Sequence, residues 1–361
     1  REALTAIRRE LHKRGELSGQ EKGTAKFVAT TLAQSNPAKL ITGVGGHGVC
    51  AVFSGTSSGQ TVLLRGDLDA LPIDETLAIV HASRSPGVSH KCGHDGHMAI
   101  LIGVAQRLSQ TPLKQGKVVI LFQPAEENGQ GAQRVLEDPM FTALTPTRAV
   151  ALHNLPGFEE GQIVLRRGVF ASASVALRMV LVGATSHASE PHQGRSPALE
   201  LAHLIASLSS LPQLASGLEE AAQATVVHAR LGEMALGTSP GTAELTVTLR
   251  AHDDTVLERL KRRALALGKG VALGAGLHFE HQWLEPFIAT TNDDKTVSET
   301  ENLCRQNGWP MASPPPPFPW AAGFGRLWRI VPGSPPPHLR LSRLHPPSGG
   351  RRHGGVGSCL C

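Results

Sequence analysis

Tyrosine is absent from this 361-residue chain, and aromatic residues make up only 4% of it. A polar site here must therefore be assembled from imidazole, thiol, carboxylate and guanidinium groups. No apolar run reaches the roughly 18 residues that a membrane-crossing helix needs, so no span is expected. Five cysteines form no disulfide framework at this length, and they fit a reducing, cytoplasmic setting. The chain opens on Arg1, so a leader upstream stays an open alternative. Acidic residues are missing from a whole region: none lies between Asn302 and Cys361, where seven arginines stand. Without those seven, 28 basic residues face 30 acidic ones, so the overall charge of +5 belongs to the tail. With no folded stripe to carry that charge, a nucleic-acid partner is not expected.

What is present reads as a globular chain, 40% hydrophobic and long enough for two domains. Leu4, Ile7 and Leu11 share one face of a helix over Arg1–Arg14, and a second helix is expected over Glu21–Gln34. Short apolar runs at Gly48–Ser54, Thr61–Gly66, Lys117–Gln123 and Arg148–Leu152 read as buried strands. Asp95 is placed as the N-cap of a helix running to about Ser109. Strands alternating with helices predict an α/β domain with a mainly parallel sheet.

From Val175 the order changes. Strand Val175–Gly183, helix Ser196–Leu211, strands Ala224–Leu231 and Thr242–Ala251, helix Asp254–Leu273 and strand Leu277–Trp283 follow one another. This β-α-β-β-α-β order predicts an inserted ferredoxin-like α+β domain. The expected division is 1–173 and 286–320 for the first domain and 174–285 for the insert. Residues 321–361 are expected to be an irregular tail rich in Pro, Gly and Arg.

Four strand ends carry chemistry. Residues 90–97 read HKCGHDGH, three His and one Cys at the mouth of a helix, and imidazole and thiolate are the donors that zinc-like metals prefer. Cys92 and His94 can converge on one metal pair, while His97, one turn on, is equally readable as packing. The run Val118–Gln123 ends in Pro124, Ala125, Glu126 and Glu127, where one carboxylate can bind metal while the other meets water. A solvated loop pair is the alternative. Ala149–Leu152 runs into His153, which alone would more often be structural, and Leu63–Gly66 runs into Asp67 and Asp69, of the same parity. Carboxylates so placed commonly orient a metal-bound His from behind.

GDLDALPIDE, HKCGHDGHMAILIG, FQPAEENGQGA and ALHNLPG together resemble the signature blocks of the amidohydrolase branch of the zinc-dependent aminoacylase and carboxypeptidase superfamily. That branch includes hippurate hydrolases, N-acyl-amino-acid amidohydrolases and auxin-conjugate hydrolases. The resemblance covers about residues 1–320, and GATSHASEPH, containing His187 and His192, resembles the family's block in the inserted domain. It implies a zinc-peptidase-like catalytic domain with a lid that also dimerises. It further implies two divalent metal ions (zinc, manganese, cobalt or nickel), Cys92 as the bridging ligand, and His94, Glu127 and His153 as further ligands. Glu126 would be the general base, and Asp69 would orient a ligand. His187 would polarise the scissile carbonyl, and Arg250 and His192 are candidate substrate contacts. The implied reaction is hydrolysis of an N-acyl amino acid or related conjugate.

The resemblance breaks near the end. Pro317-Phe318-Pro319-Trp320 approaches the family's acidic segment, but Ala321-Ala322-Gly323-Phe324-Gly325 follows in its place, and no HHP-like ligand block stands in its usual setting. His345, in an HPP triplet, is the nearest substitute. A shifted reading frame would produce this change, and translating the gene in its other frames tests that. Three readings stay open: a working binuclear hydrolase, an impaired homologue that binds metal or ligand without turnover, and a thiol enzyme with Cys92 as nucleophile. The tail is expected to lie on the surface, leaving one sheet edge open.

Overall fold

The computed structural model describes residues 2–144, 146–314 and 316–327, together with the backbone of 357–360. They divide into two compact units. One comprises Arg1–Phe170, Thr290–Pro316 and Ala322–Cys361, the other Ala171–Ala289 and Pro317–Ala321.

The first unit is built on a sheet of β1 (Lys39–Val44), β2 (Gly48–Ser54), β3 (Ser57–Asp67), β4 (Gln115–Gln123) and β5 (Arg148–Leu152). Its order is β1-β2-β4-β3-β5, with Gly357–Leu360 beyond β5. β3 runs parallel to both β4 and β5, pairing Asp67 with Gln123 and Arg65 with Ala151. Their C-terminal ends therefore open on one edge, the position at which α/β sheets carry their sites. β1 and β2 were not expected to reverse the sheet, yet β1–β2 and β2–β4 are antiparallel. The short connection from Val44 to Gly48 explains the β1–β2 pairing, since only a hairpin can be closed by so few residues.

Helices α1 (Glu2–His12), α2 (Lys22–Ala33) and α3 (His94–Gln110) pack on one face of the sheet. There Leu11, Val28, Leu32, Met98, Leu101 and Ile102 meet Ile120 and Phe122. Val119 and Leu121, of opposite parity on β4, join Phe141, Phe324 and Leu327 in a second core. Both faces are covered, which is why the strands are nearly unbroken apolar runs.

Two expectations for the chain's end are corrected. Phe324–Leu327 is a helical turn whose Phe324 and Leu327 are fully buried, because an apolar pair at i and i+3 can plug a core. Gly357–Leu360 pairs in parallel with β5, so that edge does not stand open. The reason is that backbone N–H and C=O groups of an edge strand accept any extended segment, whatever its side chains. The candidate ligand His345 lies outside the described residues. A helix at Asp294–Asn307, in a stretch where sequence signals faded, starts on an Asp293 side-chain cap and stops at Gly308 in the left-handed region.

The second unit has an antiparallel sheet of Ala222–Leu231, Thr242–Ala251, Ala173–Val182 and His278–Phe287, in that order. Helices Ala198–Ser209 and Asp254–Gly274 bury Leu204, Leu208, Leu260 and Ala264 against Val175, Leu177, Met179 and Leu181. The connectivity is β-α-β-β-α-β. Ser172 N–H and Oγ both donate to the Phe318 carbonyl, at 3.1 and 2.9 Å, which ties residues 317–321 into this unit.

Candidate metal centre

The parallel strand ends and the start of α3 bring Asp67, Asp69, Cys92, His94, Glu126, Glu127 and His153 together. Three groups of donor atoms each fall within 4.8 Å of one another: Cys92, His94 and His153; Asp67, His94 and His97; and His94, Glu126 and Glu127.

α3 begins earlier than expected, at His94, with Gly93 in place of Asp95 as its N-cap. Gly93 has φ +90°, and a Cβ there would stand 2.3 Å from Asn154 Oδ1, so the turn that presents Cys92 and His94 requires glycine. Asp95 does not cap α3. Its Oδ2 instead takes bonds from Arg8 Nε at 2.8 Å and His12 Nδ1 at 2.9 Å, and His12 Nε2 reaches Glu75 Oε2 at 2.8 Å. Charge-assisted bonds from side chains hold a carboxylate more strongly than backbone N–H groups do, which accounts for the difference.

His94 is 1% exposed. Its Nδ1–H donates to the Asp69 carbonyl at 2.8 Å, which leaves Nε2 facing Glu127 Oε1 at 3.7 Å and Asp67 Oδ2 at 3.8 Å. The Asp69 carbonyl was not foreseen as the acceptor, and Asp69 Oδ1 stands 3.5 Å from the same Nδ1. The Asp69 Oδ2 instead accepts Ser18 Oγ–H at 2.7 Å and the Glu127 N–H at 3.0 Å. His153 Nε2 lies 3.3 Å from Cys92 Sγ, and its Nδ1–H donates to the Asn154 carbonyl. His97, left open between ligand and packing, sits in the cluster: Nε2 bonds Asn154 Oδ1 at 2.8 Å, and Nδ1 is 3.7 Å from Asp67 Oδ2.

Beneath the ligands lies a charge network that sequence reasoning missed. Arg65 is 3% exposed; it donates to Gln123 Oε1 at 3.1 Å, pairs with Asp67 and comes within 3.8 Å of Glu126 Oε1. The signal was a single arginine inside an apolar strand, since such a charge is buried only when paired. Glu126 is fixed by the Gly323 N–H, which donates to Oε1 at 2.6 Å. The segment replacing the expected acidic block therefore reaches this carboxylate. Ala125, fully buried, has φ +50°, a left-handed conformation costing an L-residue roughly 1–2 kcal/mol.

The electrostatics favour a cation. Burial raises the Glu126 carboxyl above its ordinary pKa, with the Asp67 charge adding to it, and burial pushes Glu127 up to about 7. Burial resists charging of His94, but the Asp67 and Asp69 carboxylates outweigh it and hold this imidazole well above its usual pKa. Burial, with His97 opposite, brings His153 down to about 4. Glu126, Glu127 and His94 all shifted upward are what closely spaced buried carboxylates produce. His94 Nε2, His97 Nδ1 and Glu127 Oε1 are buried without a hydrogen-bond partner. Orphaned imidazole and carboxylate atoms beside a thiol match the donor set of a divalent metal.

The remaining predicted residues are in the second unit. His187 is exposed in a two-stranded ribbon with Thr238–Ser239, its Nδ1 2.7 Å from Ser189 Oγ. His192 is exposed on the turn Pro191–Gln193. Arg250 lies one residue before the end of its strand and donates to the Pro319 carbonyl at 3.3 Å.

The family model described as Peptidase family M20/M25/M40 matches residues 63–334. The N-acetyl-L-cysteine deacetylase of Bacillus subtilis (strain 168) is 32% identical over 339 residues, covering 92% of this chain and 79% of the relative. The N-acetyldiaminopimelate deacetylase of Exiguobacterium sibiricum is 28% identical over 303 residues, 83% of this chain and 81% of the relative. Among solved structures, the Bacillus subtilis YXEP protein, described as a dinuclear metal binding peptidase from the M20 family, superposes with a TM-score of 0.75 at 24% identity. The match covers 99% of this chain and 87% of that one. The aminobenzoyl-glutamate utilization protein from Klebsiella pneumoniae gives 0.74 at 19% identity, covering 99% and 90%.

Proposed function

The chain belongs to peptidase family M20/M25/M40, and from that premise we propose that it hydrolyses the amide bond of small N-acyl amino acids or related conjugates. Cys92, His94, Glu127 and His153 would hold two divalent ions, zinc, manganese, cobalt or nickel. The observation that carries the reading is the open face of His94 Nε2 toward Glu127 Oε1, next to the Cys92–His153 contact. The names of the relatives, deacetylases of N-acetylcysteine and N-acetyldiaminopimelate, support the substrate class.

Bound divalent ions supply Lewis acidity, lowering the pKa of water and polarising a carbonyl. The chain's own groups do the rest. Glu126 takes the proton of the attacking water and returns it to the leaving amine. Gly323 fixes Glu126 Oε1, so that proton is held at Oε2. Asp69 holds His94 through its carbonyl and Glu127 through its carboxylate. In the second unit, His187 would stabilise the developing oxyanion, and Arg250 and His192 would meet the substrate. That unit would serve as the lid and as the surface for a homodimer. A cytoplasmic setting belongs to the same proposal and rests on cysteine use. Among the described residues no helix is long and apolar enough to cross a membrane.

The impaired-homologue reading is kept for one reason: Ala321–Gly325 meets Glu126 through backbone instead of offering the acidic pair that the resemblance implies. The test is a panel of N-acetyl and N-benzoyl amino acids given to the full chain reloaded with each metal. Release of free amino acid supports hydrolysis. Metal uptake without any release favours the impaired reading, and activity that survives chelation but not thiol alkylation favours a thiol enzyme.

A further inference from the structure

The loop between α1 and α2 has no metal ligand and carries none of the residues picked out from sequence, yet it binds two strand ends of the site. Ala70 N–H donates to the Glu16 carbonyl at 2.8 Å, and Leu17 bridges Ala70 in parallel. The Glu16 carboxylate turns the other way and caps α2, accepting from Gly23 and Thr24 N–H at 3.1 and 2.7 Å. The loop is thereby fixed at both ends, and its middle faces the site.

Two side chains then reach across. Ser18 Oγ–H donates to Asp69 Oδ2, the same oxygen that accepts the Glu127 N–H. Glu21 is fully buried, and its Oε1 accepts the Gly19 N–H at 2.8 Å and the Ala125 N–H at 2.7 Å, across 104 residues of sequence. Ala125 is the left-handed residue just before Glu126, and its carbonyl accepts the Gly131 N–H at 2.8 Å. A Cβ at Gly131 would stand 1.6 Å from the Pro124 carbonyl oxygen, so this approach admits only glycine. The turn that presents Glu126 and Glu127 is thus clamped at both polar atoms of its strained residue.

We propose that Ser18 and Glu21 are positioning residues of the hydrolytic site, holding Asp69 and the Ala125 turn and, through them, Glu126 and Glu127. The inference rests on the reading of Glu127 as a ligand and Glu126 as the base. Without the Glu21 oxygen a buried N–H is orphaned in a strained conformation, and the turn relaxes toward ordinary backbone angles. Glutamine keeps that acceptor in the same shape. Burial raises the Glu21 carboxyl above its ordinary pKa, toward the neutral acid of which glutamine is the isostere.

The experiment titrates the full-length apo-protein with Co²⁺ alone, following the thiolate-to-cobalt absorption, and separately measures kcat and KM on the best N-acyl amino acid. Glu21→Ala should lower Co²⁺ affinity by roughly 10–100-fold, the usual cost of losing a group that supports a ligand, while Glu21→Gln stays close to the parent. Ser18→Ala should show a smaller loss of the same sign, and activity losses should fall on kcat rather than KM. Parental affinity and kcat in both Ala variants would overturn the proposal. So would an equal defect in Glu21→Gln, because the acceptor oxygen would then be irrelevant. If Glu21→Ala does not fold, Ser18→Ala and Glu21→Gln decide by the same criteria. A parent that binds Co²⁺ but cleaves no N-acyl amino acid sinks the proposed substrate class, and the order of Co²⁺ affinities still decides this inference.

Discussion

Replacing Glu75 by Gln should loosen the first turn of α3, the element that carries His94. Glu75 binds Lys91 Nζ through Oε1 and His12 Nε2 through Oε2, with its side chain only 6% exposed. His12 in turn holds Asp95, one residue past His94. The Lys91 hydrogen bond, and after it that of His12, pull the Glu75 carboxyl from 4.5 to about 2. A depression of that size corresponds to roughly 3 kcal/mol of stability at neutral pH. The Lys91 side chain is 28% exposed, and screening there brings the expectation down to about 2 kcal/mol. Because the folded-state pKa is lowered, this contribution is fully present above about 4.5 and is lost as pH falls toward 2. Hydrogen exchange of the α3 peptide across a urea series, at about pH 7.5, 5.5 and 3.5, measures it. The gap between parent and Glu75→Gln should be equal at the two higher pH values and clearly smaller at the lowest. A gap that changes between about pH 7.5 and 5.5 would put the titration on an imidazole and refute the assignment to Glu75.

Glu126→Gln should cut turnover by about a thousandfold or more while metal content stays within about twofold, because it removes a proton acceptor and not a ligand; metal analysis showing loss instead would mean the roles of Glu126 and Glu127 are reversed. Cys92→Ser should weaken metal binding by at least about tenfold, since an alcohol is a much poorer bridging donor than a thiolate at neutral pH. Equilibrium dialysis with unchanged occupancy would remove Cys92 from the ligand set. Arg65→Met should destabilise the apo-protein by about 3–5 kcal/mol, as it leaves Asp67 and Glu126 buried without their cation. An unchanged melting temperature at neutral pH would show that the network is neutralised by other means.

The segments that meet at the candidate metal centre were legible in the chain because each is local. An apolar strand running straight into Glu126–Glu127 or His153, and a Cys92-Gly93-His94 step opening a helix, carry their chemistry within a few residues. The β-α-β-β-α-β connectivity of residues 173–287 was legible for the same reason, since its strands alternate and its helices keep their apolar period. What only the tertiary structure decided is which groups support those ligands. Arg65 meets Gln123 across 58 residues, Glu21 meets Ala125 across 104 and Gly323 meets Glu126 across 197. No periodicity marks such partners, because a hydrogen bond to one buried atom leaves no repeating pattern in the sequence. The role of the chain's end was hidden likewise. Phe324 and Leu327 fill a core, and Gly357–Leu360 extends the sheet through backbone groups that every residue type possesses.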